Sequence, residues 1–433
     1  MPSLSRRHFL FTGSLAAGAL ATVRPILAKP AAPEDLQDWG AVRAQFDLDP
    51  AYTHLGLFFL ASHPRPVRAA IESYRRKLDA NPFLTVEHAL FEGPMRLLSA
   101  IGSYIGANAE DIAFTHNTTT GLSLIYHGLP LKAGDEILTT VNDHYVHHEA
   151  IRLATERNGA SWRKATLWDS WDPITADGIV DRLRREIRPN TRVVGITWVH
   201  SQSGLRMPIR RIADMIAEVN RDRDQRVLLV VDGVHGVGVE DPRITALGAD
   251  AFSAGLHKWI FAPRGTGFVW AKPEVWASMR LLIPTFSTFD LYNAWGSGKP
   301  LATPPKGFWF TPGGFQSFEH HWAVPAAIEF HNAIGSSRIT QRIHALNQQM
   351  NVELRRLPNV KIVYTPTDPS LNAGMVCFDV NGLDAEATVK KLLEKNIIAS
   401  TTPYAVPFAR VAFGIMNTPE EVERTARAVR SLA

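Results

Sequence analysis

Three short stretches of this 433-residue chain hold residue types that could do chemistry together. The first is Val230-Val231-Asp232-Gly233-Val234-His235, in which a carboxylate directly follows a strongly apolar run. Such a run reads as a parallel strand covered on both faces, and open α/β sheets bind ligands just beyond the carboxyl ends of such strands. Asp232 is placed to meet a protonated ring nitrogen, a sugar hydroxyl or a metal, and a purely structural Asp would look the same. The second stretch is Ser253-Ala254-Gly255-Leu256-His257-Lys258-Trp259. A lysine drawn partly out of water has a lowered pKa, and its neutral amine becomes a nucleophile toward an aldehyde. By type alone Lys258 could equally be a surface lysine. The third is His116-Asn117-Thr118-Thr119-Thr120-Gly121, which follows a strand and opens a helix. Hydroxyls and N–H groups at a helix N-terminus suit a phosphate, although Thr is also an ordinary N-cap.

In this order along one chain the three stretches are more specific than any one of them. An amine for an aldehyde, an acid at a strand end and an anion site are the minimum kit for pyridoxal 5'-phosphate (PLP). The acid keeps the pyridine nitrogen protonated, which lets the ring accept electrons from a substrate carbanion. Other chemistries fit less well. His144-Tyr145-Val146-His147-His148-Glu149 has the composition of a zinc site. Stacking on a cofactor ring accounts for His144, however, and His147 and His148 read as helix-surface residues, so no metal is expected. No G-x-G-x-x-G follows the early strands, which argues against a dinucleotide enzyme. A non-catalytic binding protein on the same fold would be expected to lose the lysine or the acid, and both are present.

The elements that must position these groups alternate. Helices are expected over Val67–Leu78, Phe91–Ile105 (ending at Gly106), Thr119–Tyr126, Tyr145–Asn158 and Ile209–Asn220. Strands are expected at Ile112–Thr115, Glu136–Thr140, Arg192–Val199, Val227–Val231, Ala251–Ala254 and Gly267–Trp270. This is an α/β pattern with a mostly parallel central sheet, helices on both faces and a smaller C-terminal α/β domain from about Val360. The Pro-, Gly- and aromatic-rich stretch from Pro284 to Gly314 has little periodicity and reads as a functional loop, with Phe286 to Phe315 a candidate acceptor for a bulky substrate. Residues 1–28 form a leader, 29–65 an N-terminal segment, 66–315 the large domain, and 316–433 a linking helix and small domain. With 45% hydrophobic residues, a net charge of +4 and no run of Lys or Arg, the chain has ample core material and no signature of nucleic-acid binding. The lone cysteine, Cys377, lies in the apolar run Met375–Phe378 and reads as a buried strand residue.

The stretches Val231-Asp232-Gly233-Val234-His235-Gly236-Val237-Gly238 and His257-Lys258-Trp259-Ile260-Phe261-Ala262-Pro263-Arg264-Gly265-Thr266-Gly267 resemble those of class V aminotransferase-fold proteins, of PLP fold type I. Within that class the chain resembles the isopenicillin N epimerase-like and cysteine desulfurase-like branch over about residues 50 to 430. The resemblance implies that Lys258 forms the Schiff base with PLP and shuttles the proton at the substrate α carbon. It implies that Asp232 pairs with the pyridinium nitrogen and that His235 sits near the ring's phenolic oxygen. Thr118 and Thr119 would hold the phosphate with Ser253 and His257, and His144 would stack on the ring. Arg410 matches the arginine that grips the substrate α-carboxylate. A homodimer is implied, with a partner residue closing on the phosphate. The Gly313-Gly314 region fits that place, but the usual Thr is missing there. Three departures stand out. The family often has Asn where this chain reads His200-Ser201-Gln202-Ser203-Gly204. Thr53–Phe59 replaces a more polar loop. No cysteine lies in the C-terminal region just before Arg410, so desulfurase-style persulfide chemistry is not expected.

The N-terminus, Ser5-Arg6-Arg7-His8-Phe9-Leu10 followed by a short Gly- and Ala-rich apolar stretch, resembles a twin-arginine export signal. It is too short for a stable membrane anchor. The chain is therefore expected to be carried by the twin-arginine translocase, folded and cofactor-loaded, to the periplasm. It resembles exported PLP enzymes that modify the glutamyl group of the siderophore pyoverdine. The expected function is a transaminase-type modification of a small-molecule or peptide-metabolite substrate. Amino-acid epimerisation or racemisation, and C–S lysis, remain open alternatives.

Overall fold

The computed structural model describes residues 36–89 and 92–432. The expected export signal lies outside the described residues. After a two-residue strand β1 (Thr53–His54), seven strands build the central sheet: β2 (Ile112–Thr115), β3 (Glu136–Thr140), β4 (Ser161–Ala165), β5 (Thr191–Thr197), β6 (Leu228–Asp232), β7 (Ala251–Gly255) and β8 (Gly267–Ala271). Their order is β2-β8-β7-β6-β5-β3-β4. The pairs from β4 through β7 are parallel, and β8 runs antiparallel to both its neighbours.

The period-2 alternation of these strands sends successive side chains into two different cores. Leu138, Val194, Val231 and Phe252 pack into one cluster, with Leu97 and Ile101 of the helix Glu92–Ile105 and Ile212 and Ile216 of the helix Ile209–Val219. Their neighbours Ile137, Val193, Val230 and Ala251 pack into the other, with Leu122 and Ile125 of the helix Thr118–Gly128 and Ile151 and Ala154 of the helix Tyr145–Asn158. Helices therefore cover both faces, which is why the central strand β6 reads as an apolar run up to Asp232.

A second, antiparallel sheet follows. β9 (Val360–Val363), β10 (Val376–Val380), β12 (Ser400–Thr401) and β13 (Ala409–Val411) stand in the order β12-β13-β10-β9. The helices Ser336–Arg355 and Pro419–Arg430 cover it through Leu346, Met350, Leu354, Val422 and Val429. β11 (Ile397–Ile398) pairs in parallel with β1, tying the first strand of the chain to the C-terminal region. The fold is thus α/β with a mostly parallel central sheet and a smaller C-terminal sheet.

Four local features differ from the sequence reading. The edge strand β4 has no continuous apolar run, because most of its residues are exposed or half-buried. The stretch from Pro284 to Gly314 contains a helix, Asp290–Ser297, and a 3-10 turn, Gly307–Phe310. Phe286 and Phe315 line a separate cavity of about 90 Å³ with Leu97, Phe114 and Trp322, not the cavity that holds Lys258. His147 and His148 are buried on the inner side of their helix rather than on its surface.

Candidate active site

A cavity of about 360 Å³ opens at the carboxyl ends of β5, β6 and β7, where β13 of the small sheet approaches. Thr118, Thr119, His144, Asp232, His235, His257, Lys258 and Arg410 all line it. The two sheets thus bring together residues up to 292 positions apart in sequence.

Asp232 ends β6, paired with Thr197 of β5 and Ser253 of β7. It is buried, and its Oδ1 accepts the Val234 N–H at 3.0 Å. Burial pushes its pKa up to about 7. The Val234 hydrogen bond and the Lys258 charge pull the other way without cancelling that effect. Lys258, beyond the end of β7, is pulled down to about 8 by burial, with the Arg410 charge adding and Asp232 opposing. A substantial fraction of its amine is neutral at physiological pH, as a nucleophile or proton acceptor requires.

The helix Thr118–Gly128 begins at the cavity. Asn117 caps it, its Oδ1 accepting the Thr120 N–H at 2.9 Å and the Thr120 hydroxyl at 3.2 Å. The Thr118 hydroxyl is buried and has no hydrogen-bond partner, and neither has the Thr197 hydroxyl on the same lining. His257 places its Nδ1 3.3 Å from the Thr266 carbonyl oxygen, which fixes the ring beside Thr118. Ser253 is positioned differently. It is fully buried, absent from the cavity lining, and its hydroxyl donates to the Phe268 carbonyl at 3.2 Å. At the strand end stands Gly255, where a Cβ would lie 3.4 Å from Thr118 Oγ1. Ser253 lies two residues deeper, roughly 7 Å along the strand. What Ser253 does touch is the helix itself: a Cβ on Gly121 would meet its Oγ at 2.1 Å.

His144 is the N-cap of the helix Tyr145–Asn158 and accepts the Val146 N–H at Nδ1, 3.3 Å. Burial and the positive charges of Lys258 and Arg410 hold it at about 4, so the ring is neutral. His235 accepts the Trp259 indole N–H at 3.3 Å, and burial lowers its pKa well below the usual range. Arg410 is buried on β13. Its hydrogen bonds go to neutral groups: the Ser201 carbonyl at 2.8 Å, the Ser400 hydroxyl at 3.1 and 3.3 Å and the Thr401 carbonyl at 3.4 Å. The face of the guanidinium lies over the Phe58 ring. A buried cation without a carboxylate among these partners asks for an anion in the cavity.

Behind the lining lies a group that residue types alone did not disclose. Asp143 is buried and accepts the Thr197 N–H at 2.7 Å and the Thr139 hydroxyl and Thr140 N–H, both at 2.8 Å. Burial raises its pKa, but His147, His200 and these hydrogen bonds prevail and leave it at about 2. His147 also lies 2.6 Å from the Tyr126 hydroxyl. Asp143 thereby fixes the end of β5 next to Asp232. Phe58, Asn117, Thr197 and Ser201 join the lining too, the last through a 2.9 Å contact of its hydroxyl with Tyr404. In the His200–Gly204 segment it is Ser201, not Gln202, that faces the cavity. Gln202 instead accepts the Asn142 amide at 3.0 Å. The donor set fits PLP. A buried carboxylate with a raised pKa wants a cationic ring nitrogen, an unpartnered hydroxyl at a helix start wants a phosphate, and an amine with a lowered pKa wants an aldehyde.

Comparison with known proteins agrees with this geometry. The family model for aminotransferase class-V matches residues 61–425. The chain is 27% identical over 411 residues to the isopenicillin N epimerase of Streptomyces clavuligerus, covering 91% of this chain and 98% of that protein. It is 25% identical over 426 residues to a probable cysteine desulfurase of Vibrio cholerae, covering 90% and 97%. Among solved structures, the cystine C–S lyase C-DES in complex with its product cysteine persulfide superposes with a TM-score of 0.77 at 21% identity, over 88% of this chain and 97% of that one. The apo cysteine desulfurase of Thermococcus onnurineus gives 0.76 at 21% identity, over 94% and 99%.

Proposed function

Because the chain belongs to the class V aminotransferase family and is a PLP-dependent enzyme, we propose that Lys258 is its Schiff-base lysine and that Arg410 receives the α-carboxylate of an amino-acid substrate. The observation that carries this reading is the meeting, in one cavity, of an amine lowered to about 8 and a buried arginine with only neutral partners. Asp232 would hold the ring nitrogen, Thr118, Thr119 and His257 the phosphate, and His144 a face of the ring, with His235 beside it. When bound, the cofactor supplies an electron sink for negative charge at the substrate α carbon.

The chain's own groups do the rest. Arg410 fixes the carboxylate and so orients the α carbon. With the cofactor bound, the neutral amine of Lys258 would accept the proton held at the substrate α carbon; transamination would have it delivered elsewhere, and epimerisation would require a proton to reach the opposite face of the α carbon. With the cofactor bound, Asp232 would be held negative by the cation of the ring nitrogen, an attraction that its burial strengthens. The enzyme acts as a homodimer in the periplasm after twin-arginine export. It modifies an amino-acid or glutamyl group of a siderophore-like peptide metabolite by a transaminase-type reaction. Persulfide formation on the enzyme's own thiol, in the desulfurase style, is disfavoured because Cys377 is fully buried on β10, outside the lining, with its thiol pushed up to about 12. Epimerisation is the second reading, favoured by the similarity to isopenicillin N epimerase over nearly the whole chain.

The test is a near-visible absorption spectrum of the purified enzyme with L-glutamate in D2O. A yellow band that is absent in Lys258→Ala, and that fades with release of a 2-oxo acid, establishes transamination. A band that persists while deuterium enters the α position establishes epimerisation. A protein that stays colourless after reconstitution with PLP overturns the assignment of Lys258.

A further inference from the structure

Trp259 directly follows Lys258, and its side chain is sealed inside the chain. A Cβ on Gly238 would lie 2.8 Å from the Trp259 Cβ, and one on Gly374 would lie 3.0 Å from its Cη2. Two glycines from distant parts of the chain thus let the backbone close on this side chain and hold it in one place. There its indole N–H donates to Nδ1 of His235 at 3.3 Å. His235 is buried as well, and it lines the cavity of Lys258.

That hydrogen bond decides which nitrogen of the imidazole carries the proton. An indole nitrogen can only donate, so Nδ1 must present a lone pair. An imidazolium has no lone pair to present, and the tautomer protonated at Nδ1 has none at that position. What remains is a neutral ring with its proton on Nε2. Burial first, and then the positive charges of Lys258 and Arg410 and the neighbouring His144 and His257, oppose a second proton on the ring. Among the described residues the His235 ring makes no other hydrogen bond, so Nε2 is left for the cavity.

We propose that Trp259 is a positioning residue: its indole fixes His235 as the tautomer protonated at Nε2 and so supplies the cavity with a neutral N–H donor. With the cofactor bound, that donor would meet the phenolic oxygen of the ring and hold the negative charge there. The opposite tautomer would turn a lone pair toward the same oxygen. This second step rests on the placement of His235 beside the cofactor ring proposed above. Losing a hydrogen bond to a charged oxygen lowers affinity by about tenfold or more.

The first measurement is the nitrogen NMR spectrum of the PLP-free protein carrying isotope-labelled histidine, with the His235 signals identified as those missing in His235→Gln. The expected spectrum has a protonated Nε2 and an unprotonated Nδ1. A proton on Nδ1, or on both nitrogens, overturns the proposal. Trp259→Phe keeps an aromatic ring and removes the N–H, so both tautomers of His235 should appear in it. A tautomer unchanged from wild type in that variant also overturns the proposal. The second measurement is made on the PLP-loaded enzyme. In Trp259→Phe the affinity for PLP, read by equilibrium dialysis, should fall about tenfold. The pH midpoint of the cofactor's visible band should rise, because an oxygen without its donor holds a proton more tightly. Loss of packing alone would weaken retention and leave that midpoint in place. If the tautomer changes and the midpoint does not, the hold of Trp259 on His235 survives and the placement of His235 beside the ring fails. If Trp259→Phe does not fold, two variants of His235 decide. A Gln amide can accept from the indole and donate onward, whereas Leu can do neither, so His235→Gln should bind PLP about tenfold more tightly than His235→Leu. Equal affinities in these two variants overturn the proposal.

Discussion

The ring of Phe58 lies under the guanidinium of Arg410, with 3.9 Å from the guanidinium carbon to the ring centroid. Phe58 is fully buried, and it shares the cavity lining with Arg410. The ring covers one face of the cation while Ser201 and Ser400 hold its edges, so the charge is kept in place by contacts that do not neutralise it. Replacing Phe58 by Leu retains the charge and the hydrogen bonds but removes the aromatic face. The affinity for carboxylate-bearing amino acids, measured by titrating the cofactor absorbance, is expected to fall roughly three- to tenfold. Arg410→Lys, which also removes the planar fork, is expected to lose about 100-fold. Equal losses in the two variants would remove the positioning role assigned to the ring.

Asp232 makes the cofactor-free protein sensitive to pH. Its pKa is raised to about 7 in the folded state, chiefly by burial, above the ordinary carboxylate value near 4. The folded state therefore holds a proton that the unfolded state has released. This contribution to stability is complete below about pH 4 and is lost as pH rises through about 7, by an amount on the order of a few kcal/mol. Urea unfolding of the PLP-free protein should show that decline, and Asp232→Asn should flatten it. Adding PLP should reduce the decline, since a ring cation favours the ionised carboxylate. An unchanged slope in Asp232→Asn would place the decline elsewhere.

Gly121 is a contact point between the helix Thr118–Gly128 and the sheet. A Cβ there would lie 2.1 Å from Ser253 Oγ and 2.9 Å from Val269 Cγ2. Gly121→Ala should push the helix Thr118–Gly128 off β7 and cost about 1–3 kcal/mol. It should also weaken PLP retention in dialysis. In Ser253→Ala/Gly121→Ala the loss should be partly recovered, because the hydroxyl that collides is gone. No recovery would show that the collision with Val269 dominates.

Cys377 offers a control on reaction type. Its thiol is buried on β10, directly across from Arg410 of β13. Cys377→Ala should retain turnover of the amino-acid substrate within a few-fold and cost about 1–2 kcal/mol of stability through the small void. Loss of sulfide release from cysteine in this variant alone would contradict the non-thiol reading.

Much of this protein is legible in its sequence. The apolar run ending in Asp232 belongs to a strand covered on both faces, which leaves it almost no polar position, whereas the strand preceding Lys258 carries one buried polar residue, Ser253. The order Thr118, Asp232, Lys258 along the chain follows from that local logic, because Asp232 ends its strand and Thr118 and Lys258 each sit just past the end of theirs. Distance and depth are decided elsewhere. Arg410 reaches Lys258 only because β13 of a second sheet packs against the first. Ser253, two residues short of the strand end, is committed to the Phe268 carbonyl, while Gly255 stands beside Thr118. His147 and His148 carry no mark of burial in their residue type, and they turn inward because Tyr126, Asp143 and Thr140 offer them partners. Phe58 and Phe59 are neighbours of identical chemistry, yet one is sealed under Arg410 and the other stands in water at the mouth. Local sequence determines which groups the chain carries and on which element. Packing between distant elements determines which of them share a cavity, and what charge each keeps there.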